Sequence, residues 1–320
     1  MYALPLVTVT LASFGVSGVR SGVAGRQTDE PWTNPIVEGW YADPDGLKFG
    51  DTYWVYATVS IAFDNQTWFD AWSSPDLVTW TKQEPPVFSA SSAWAVDWLW
   101  APCTIERDGK YYFFYTANNP IDNEGNAGIG VAVADTPGGP FNDLIDHPIV
   151  DKHINEANAM DPQVFVDDDG TYYLIWGGSF VNIARLSDDM ASIVPWEDGS
   201  EAKEITPDQG FGEGSFMLKR EGIYYFMWSE GGYGTPDYRV AYAMSESVLG
   251  PFERIGLMLS KDEVVADGPG HHSIFEDDDG EYYIVYHRRI IGDDVGDNRV
   301  VAIDRVFFND DGTIQPVVMT

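Results

Sequence analysis

The sequence repeats one short pattern five times: a Gly or Asp-Gly turn followed by a strand-like run that begins with two aromatic residues. The first aromatic residues stand at positions 53, 111, 172, 224 and 282, so consecutive copies are 58, 61, 52 and 58 residues apart. Each copy is typical of a β-hairpin, because glycine adopts the positive φ that tight turns require and aromatic residues favour strands. The repeat therefore restricts the fold to architectures built from five similar units.

A unit of 50 to 60 residues has room for about four short strands, which is the size of one blade of a β-propeller. Hydrophobic residues make up 44% of the chain and aromatic residues 14%, enough for a large core. A β-sandwich would not produce five equivalent hairpins. We therefore predict an all-β fold, a five-bladed β-propeller over residues 31–320. We expect residues 304–316 to complete a blade together with strand material from residues 31–60.

The chain is strongly acidic, with a formal net charge of −33 from 51 Asp and Glu against 18 Lys and Arg. Nucleic acid is not expected as a partner, because phosphate binding requires a basic surface. The acidic residues are scattered as on a solvated surface, a pattern that resembles proteins adapted to high salt. The single cysteine, Cys103, excludes an intrachain disulfide and is predicted to be a buried structural thiol.

The N-terminal residues 2–19 are apolar or small, and Gly22 and Ala24 follow them. This pattern favours a secretory leader within residues 1–30 and an extracellular protein, although the usual basic n-region is missing. A flexible N-terminal extension is the alternative. No later segment is apolar over enough residues to span a membrane, so no membrane partner is expected.

Five residues occupy the same place in the five copies, at the start of the strand that precedes the turn. Counting back ten residues from the first aromatic of the opening copy, and eleven in the others, gives Asp43, Trp100, Asp161, Glu213 and His271. Equivalent positions of a propeller lie on one ring about its axis. Polar residues where the pattern favours apolar ones tend to mark functional sites. Isolated Asp-Pro turns at 43–44 and 161–162 are the alternative, but they do not explain the recurrence.

Carboxylates confined to one ring repel each other, so their pKa values separate and an acid and a base become available at one pH. Glycoside hydrolysis uses such a pair of carboxylates. The ring, which holds the three acids Asp43, Asp161 and Glu213, is therefore compatible with a glycosidase.

Four segments at the ring positions, residues 34–45, 160–165, 212–215 and 267–273, resemble the signature blocks of family 43 glycoside hydrolases. The resemblance covers residues 31–320 and implies a five-bladed propeller that hydrolyses with inversion of anomeric configuration. It implies that Asp43 is the general base that activates water and that Glu213 is the general acid. Asp161 would orient the acid and support its protonated form. Inversion requires the acid and the base to stand about 6.5 to 9.5 Å apart.

The same resemblance implies further site residues. His271 resembles the active-site histidine of the family, and Arg299 resembles the arginine that faces the sugar in related xylosidases. His287 lies near where many members place a histidine that approaches a calcium ion on the axis through water. A buried structural histidine is the alternative for His287. One axial calcium ion is thus the expected cofactor, and no organic cofactor is expected.

Several tryptophans flank the first two ring positions or match strand starts. Sugars present apolar faces to aromatic side chains, so we predict Trp40, Trp72 and Trp100 as substrate-binding residues, with Trp98 considered beside them. Trp100 is the strongest of these candidates because it is itself a ring residue; for each of the others, packing in the core is the favoured alternative.

The predicted activity is that of an exo-acting inverting β-xylosidase, with α-L-arabinofuranosidase side activity, on xylo- or arabino-oligosaccharides or polysaccharides. Arabinan-directed α-L-arabinofuranosidase or arabinanase activity is an alternative, because the same residues serve these reactions and the loops around the pocket decide between them. A non-catalytic carbohydrate-binding propeller is the alternative from another class. It would be expected to lack one acid of the ring.

Overall fold

Five small antiparallel sheets follow one another along the chain, in the order that the repeat predicts. The structure is a computed structural model that describes residues 30–90, 94–119 and 127–320. Within these ranges the 3-10 helix Phe63–Asn65 is the one helical element, and every other element is a strand. The predicted all-β, five-bladed β-propeller is confirmed.

Each blade adds its strands outward in chain order, and in blades 1 and 3 a fifth short strand also pairs with the third. The bounds are as follows: β1 Tyr41–Phe49, β2 Thr52–Val59, β3 Trp68–Ser74, β4 Thr81–Lys82 and β5 Phe88–Ser89 in blade 1; β6 Trp100–Arg107, β7 Lys110–Asn118, β8 Ala127–Ala134 and β9 Asn142–Asp143 in blade 2; β10 Gln163–Val166, β11 Tyr172–Trp176, β12 Asn182–Leu186, β13 Ile193–Val194 and β14 Lys203–Glu204 in blade 3; β15 Glu213–Arg220, β16 Ile223–Glu230, β17 Arg239–Ser245 and β18 Arg254–Leu259 in blade 4; β19 Asp267–Glu276, β20 Tyr282–Arg289 and β21 Arg299–Val306 in blade 5.

The aromatic repeat forms the central hairpin of every blade. The first aromatic residue of each copy is the first or second residue of the blade's second strand. The turn before it contains a glycine in the left-handed region, with φ of 55°, 74°, 83°, 81° and 77° at Gly50, Gly109, Gly170, Gly222 and Gly280. A side chain at these positions would be strained, which explains why glycine recurs in the pattern.

Five apolar clusters form the core, one between each pair of neighbouring blades. Between blades 1 and 2, for example, the ring of Phe69 packs edge-on against Phe113 with 5.0 Å between centroids. Between blades 5 and 1, Trp32 packs against Tyr283 at 5.8 Å. Burial of each large aromatic side chain contributes on the order of 2 to 3 kcal/mol, so the contacts between blades are the main source of stability.

The N-terminal segment of the propeller closes the ring of blades. The Asn34 side chain donates to Ile303 O at 2.8 Å and accepts from Ile303 N at 2.9 Å. Ile36 N donates to Val301 O at 3.0 Å. These bonds satisfy the outer edge of β21, so blade 5 combines the first and last parts of residues 31–320.

The prediction for residues 304–316 is only partly correct. Asp304 to Val306 form the end of β21. The residues that follow lie against blade 4 instead of extending blade 5: Tyr225 donates its hydroxyl to Gly312 O at 2.7 Å, and Val317 N donates to Met258 O at 2.7 Å. The physical reason is that residues 34–36 already bond to β21 at Val301 and Ile303.

The predicted leader falls on residues 1–29, which lie outside the described residues, and on Glu30. Within residues 30–90, 94–119 and 127–320, no helix has the length and apolar character needed to cross a membrane. Cys103 is buried and unpaired, as its apolar neighbours predict.

Candidate active site

The five predicted ring residues, Asp43, Trp100, Asp161, Glu213 and His271, line one cavity of about 210 Å³. The other lining residues are Thr58, Phe63, Gln66, Trp98, Met160, Tyr233 and Arg299.

A bulge at the start of the innermost strand aims these side chains. The pairing register shifts between Ala42 and Asp45 in β1, and β6, β15 and β19 show shifts at the same place. One residue at this place in each blade is left-handed, with φ of 49° at Asp43, 51° at Ala101, 54° at Asp161, 59° at Gly214 and 44° at His271. Bulges re-aim side chains, and Asp and His are among the residues that tolerate positive φ best.

This geometry refines the predicted ring. Asp43, Asp161 and His271 occupy the left-handed position itself, whereas Trp100 and Glu213 lie one residue before it, ahead of Ala101 and Gly214. A β-carbon on Gly214 would lie 3.0 Å from the His271 ring, so a glycine after Glu213 leaves the histidine room.

A side chain near the end of the second strand of one blade accepts a hydrogen bond from the backbone at or just before the innermost strand of the next blade. The acceptor atoms are Thr58 Oγ1 for Ala101 N–H (2.8 Å), Thr116 Oγ1 for Asp161 N–H (3.0 Å), Ser229 Oγ for His271 N–H (2.9 Å) and His287 Nδ1 for Asp43 N–H (3.1 Å). Blade 3 has Gly177 here, and Gly214 N–H of blade 4 instead donates to Asp161 Oδ2 at 3.2 Å. Buried N–H groups require partners, so these bonds fix the bulges at the axis.

Asp43 is buried among positive charges. His271 Nδ1 lies 3.1 Å and Arg299 Nη1 3.3 Å from its Oδ1. Burial alone would raise the pKa of Asp43, but His271 and Arg299 hold it well below the usual value. Its Oδ2 accepts no hydrogen bond from the side chains or backbone of the described residues. Asp43 is thus an ionised carboxylate with one oxygen available to a water or a ligand.

Asp161 and His271 both have raised pKa values. Burial, together with the charges of Glu213 and Asp43, raises the pKa of Asp161 to about 7 against the opposing charge of His271. Burial would lower the pKa of His271, but Asp43 and Asp161 raise it to about 9. His271 is therefore a cation at neutral pH, and Asp161 changes charge near pH 7.

Glu213 differs from Asp43 in its partners. It is half-buried, and its Oε1 accepts a hydrogen bond of 2.8 Å from the hydroxyl of Tyr238. Asp161 contacts the backbone directly after it through the bond from Gly214 N–H. The two carboxyl groups of the predicted pair therefore stand in one cavity in different environments, which is the condition for separate acid and base roles.

Arg299 is held from three sides. Its Nε donates to Ser60 Oγ at 3.0 Å, its Nη1 contacts Asp43, and its guanidinium lies 4.7 Å from the ring centroid of Tyr233. Arg299 also lines the cavity, as its resemblance to the sugar-facing arginine of related xylosidases implies. A buried, fully held guanidinium can orient a sugar hydroxyl without large loss of side-chain entropy.

An aromatic wall stands on one side of the cavity. The ring of Trp100 lies 5.9 Å from Phe63 and 6.3 Å from Trp98, and Phe63 and Trp98 are 5.7 Å apart. Trp98 Nε1 donates to Asp64 Oδ1 at 2.8 Å, which orients its ring. Of the tryptophans predicted to bind substrate, Trp100 is thus the one that reaches the cavity.

Trp40 and Trp72 do not line the cavity; the burial of Trp72 in the core argues against its prediction as a substrate-binding residue, whereas that of Trp40 stays a prediction. Trp72 is 5% exposed and packs edge-on against Tyr41, with 4.6 Å between centroids. It lies on β3, the third strand from the axis, so its ring enters the core between blades. Trp40 precedes β1 and is 39% exposed to solvent.

His287 does not fit a direct ligand of a calcium ion. It is fully buried, and burial lowers its pKa to about 4, so the ring is neutral. Its Nδ1 lies 3.1 Å from the backbone N of Asp43 and 3.3 Å from Asp43 Oδ1, and its Nε2 has no partner among the described residues. Calcium prefers oxygen ligands, so contact through water, as the family resemblance implies, suits this residue better than direct ligation. In the ranges that the structure describes, no group of three or more His, Cys, Asp or Glu residues is placed to hold a metal.

The sequence missed several cavity residues. Phe63, Gln66 and Tyr233 lie on connections between the second and third strands, and Met160 precedes a ring residue. Met160 and Thr58 could have been found from their positions: Met160 precedes a ring residue, and Thr58 stands five residues after the first aromatic of its copy, as Thr116 does. The residues on the connections could not, because these connections share no length or sequence pattern.

Comparison with known proteins identifies the family. The family model described as "Glycosyl hydrolases family 43" matches residues 32–314. The chain is 40% identical over 301 residues to a β-D-galactofuranosidase of Aspergillus niger, which covers 90% of this chain and 85% of that relative. It is 30% identical over 263 residues to xylosidase/arabinosidase 43A of Humicola insolens, covering 69% of this chain and 75% of that relative. The crystal structure of a thermostable family-43 glycoside hydrolase aligns with a TM-score of 0.77 at 29% identity, covering 90% of this chain and 96% of that one.

These matches extend over the same residues that form the five blades and carry the ring of carboxylates. The resemblance inferred from the four sequence blocks is therefore confirmed. The chain belongs to family 43 of the glycosyl hydrolases, and it is an enzyme that hydrolyses O-glycosidic bonds.

Proposed function

We propose that this enzyme releases single sugar residues from pentose-containing oligosaccharides or polysaccharides, with inversion of configuration at the anomeric carbon. The observation that carries the proposal is the placement of Asp43 and Glu213 in one cavity of about 210 Å³, with different partners. In the reaction, a water attacks the anomeric carbon and gives a proton to Asp43 Oδ2. The bond from that carbon to the leaving oxygen breaks, and Glu213 donates its proton to this oxygen.

The other side chains support this assignment of roles. His271 and Arg299 keep Asp43 ionised, so it is ready to accept a proton. Asp161 holds the backbone beside Glu213 and adds a nearby negative charge when it is ionised. Trp100, Phe63 and Trp98 supply an apolar face for the substrate. Exchange of protons with solvent returns both carboxyl groups to their starting states.

β-D-Xylosides and α-L-arabinofuranosides are the proposed substrates, supported by the similarity to xylosidase/arabinosidase 43A. β-D-Galactofuranosides are a second candidate, favoured by the 40% identity to a β-D-galactofuranosidase. The second candidate is chemically close, since β-D-galactofuranose has the ring configuration of α-L-arabinofuranose and adds one hydroxymethyl group. A single added group of this kind changes specificity by only about 10- to 200-fold, so one cavity can serve both furanosides.

The test is a panel of aryl β-D-xyloside, aryl α-L-arabinofuranoside, aryl β-D-galactofuranoside and linear arabinan. Wild type, Asp43→Asn and Glu213→Gln are assayed on each substrate. We expect Asp43→Asn to lower kcat by about 10² to 10⁴-fold on the preferred substrate, and Glu213→Gln to do so on glycosides whose leaving group requires a proton. Equal rates in all three proteins would remove the proposed pair, and NMR of the first-formed sugar showing retention would contradict inversion. If the first product from linear arabinan is an oligosaccharide instead of the monosaccharide, the release of single residues is contradicted.

A further inference from the structure

A tyrosine outside the four sequence blocks holds the proposed acid. Tyr238 directly precedes β17 and is fully buried. Its hydroxyl donates to Glu213 Oε1 at 2.8 Å. Burial and the charge of Glu213 raise the pKa of Tyr238 well above its usual value, so the hydroxyl remains a donor throughout the working pH range.

The ring of Tyr238 has no freedom to move. It stacks on His287 with 5.5 Å between centroids and an interplanar angle of 3°. On another side lies Gly270, where an added β-carbon would stand 2.3 Å from Tyr238 Cε1. The glycine before His271 is therefore required because the tyrosine ring fills the space that a side chain would need.

Tyr238 also connects the two halves of the proposed catalytic pair. Its hydroxyl contacts Glu213, while its ring stacks on the histidine whose Nδ1 accepts the Asp43 N–H at 3.1 Å. The hydroxyl of Ser229, which accepts the His271 N–H, lies beside the Tyr238 hydroxyl. One rigid side chain thus touches groups that fix the acid, the base and the ring histidine.

The contact distinguishes the two oxygens of Glu213. An oxygen that accepts the tyrosine proton is the poorer place for the carboxyl proton, so that proton resides on Oε2. We propose that Tyr238 is a positioning residue for proton donation: by holding Oε1, it directs the protonated Oε2 of Glu213 toward the leaving oxygen. This inference rests on the proposed role of Glu213 as the acid.

The experiment separates substrates by their need for the acid. A dinitrophenolate leaves without much protonation, whereas an alkoxide or a sugar hydroxyl requires it. We compare kcat/KM of wild type and Tyr238→Phe on the 2,4-dinitrophenyl glycoside and the methyl glycoside of the preferred sugar. We expect a loss of about 10- to 100-fold on the methyl glycoside, because a small displacement of a catalytic group has effects of this size. The loss on the dinitrophenyl glycoside should be less than about 3-fold.

The matched control is Tyr286→Phe. Tyr286 is also fully buried and donates its hydroxyl to a carboxylate, Asp304 Oδ2, at 2.6 Å, but it does not line the cavity. This variant loses the same kind of bond, and its rate ratio between the two substrates should equal that of wild type. If Tyr238→Phe loses rate equally on both glycosides, the positioning role is wrong.

Glu213→Gln separates this inference from the proposed function. If it shows no selective loss on the methyl glycoside, the acid assignment itself fails. If it shows the selective loss and Tyr238→Phe does not, only the role of Tyr238 fails. Activity on the dinitrophenyl glycoside reports folding. Should Tyr238→Phe not fold, Gly270→Ala displaces the ring with the hydroxyl retained and should give the same selective loss, whereas an equal loss on both substrates would contradict the proposal.

Discussion

His271 Nδ1 lies 3.1 Å from Asp43 Oδ1 in a buried pair, with the histidine side chain 14% and the carboxylate 7% exposed. The two residues come from the innermost strands of blades 5 and 1, which meet where the ring of blades closes. A histidine of the last blade therefore supplies a positive charge to the proposed base on the first blade. The same ion pair contributes to the stability of the fold and to the ionisation of Asp43.

The charge of His271 predicts how stability depends on pH. Its pKa of about 9 lies above the usual 6.5, so the stabilisation is fully present below pH 6.5 and is lost as the pH rises through 9. The shift corresponds to about 3 kcal/mol. The difference in unfolding free energy between wild type and His271→Gln should shrink by this amount between pH 6 and pH 10, as measured by urea unfolding. A constant difference would show that His271 is not a cation in the fold.

The ties between blades predict a second effect on stability. Thr116 is fully buried, and its hydroxyl accepts the Asp161 N–H at 3.0 Å. Thr116→Val keeps the shape but leaves this N–H without an acceptor, which costs about 1 to 3 kcal/mol. Because the left-handed backbone at Asp161 loosens, kcat should fall as well. Thr116→Ser keeps the hydroxyl and is the control in chemical denaturation and rate assays; a Val variant as stable as wild type would contradict the tie.

The different positions of Trp100, in the cavity wall, and Trp72, in the core, predict different effects of their substitution. Trp100→Ala removes a cavity wall, and KM should rise by about 10-fold because a stacked aromatic contributes about 1.4 kcal/mol to sugar binding. Trp72→Phe alters the core instead, so it should lower the unfolding free energy by about 1 to 3 kcal/mol with KM unchanged. The reverse pattern, with KM raised by the Trp72 change alone, would restore the original prediction for Trp72.

The surroundings of His287 predict the response to chelators. Its Nδ1 lies against Asp43, and among the described residues no group of three or more His, Cys, Asp or Glu side chains is placed to hold a metal. We therefore expect activity to remain unchanged after dialysis against EDTA. Full loss of activity, restored by calcium and not by magnesium, would support the axial ion that the family resemblance implies.

The sequence predicted the blades and the ring because both follow from local rules. The turn glycines need positive φ, the aromatic residues that follow favour strands, and the phase of the hairpins carries Asp43, Asp161 and His271 to one place. It also predicted the family from four short blocks, each of which contains one of the ring residues. A periodic pattern suffices for these features because every blade repeats the same hairpin with the same turn.

Only the tertiary structure decided what surrounds the ring. Tyr238 and Tyr233 lie on a connection without a repeat, and they meet Glu213 and Arg299 through contacts between residues distant along the chain. The offset of Trp100 and Glu213 by one residue depends on where each bulge falls in its ladder, which composition does not reveal. Protonation likewise depends on burial and on charges that converge from different blades, so Asp43 and Asp161, alike in sequence as Asp-Pro pairs, have opposite shifts in pKa.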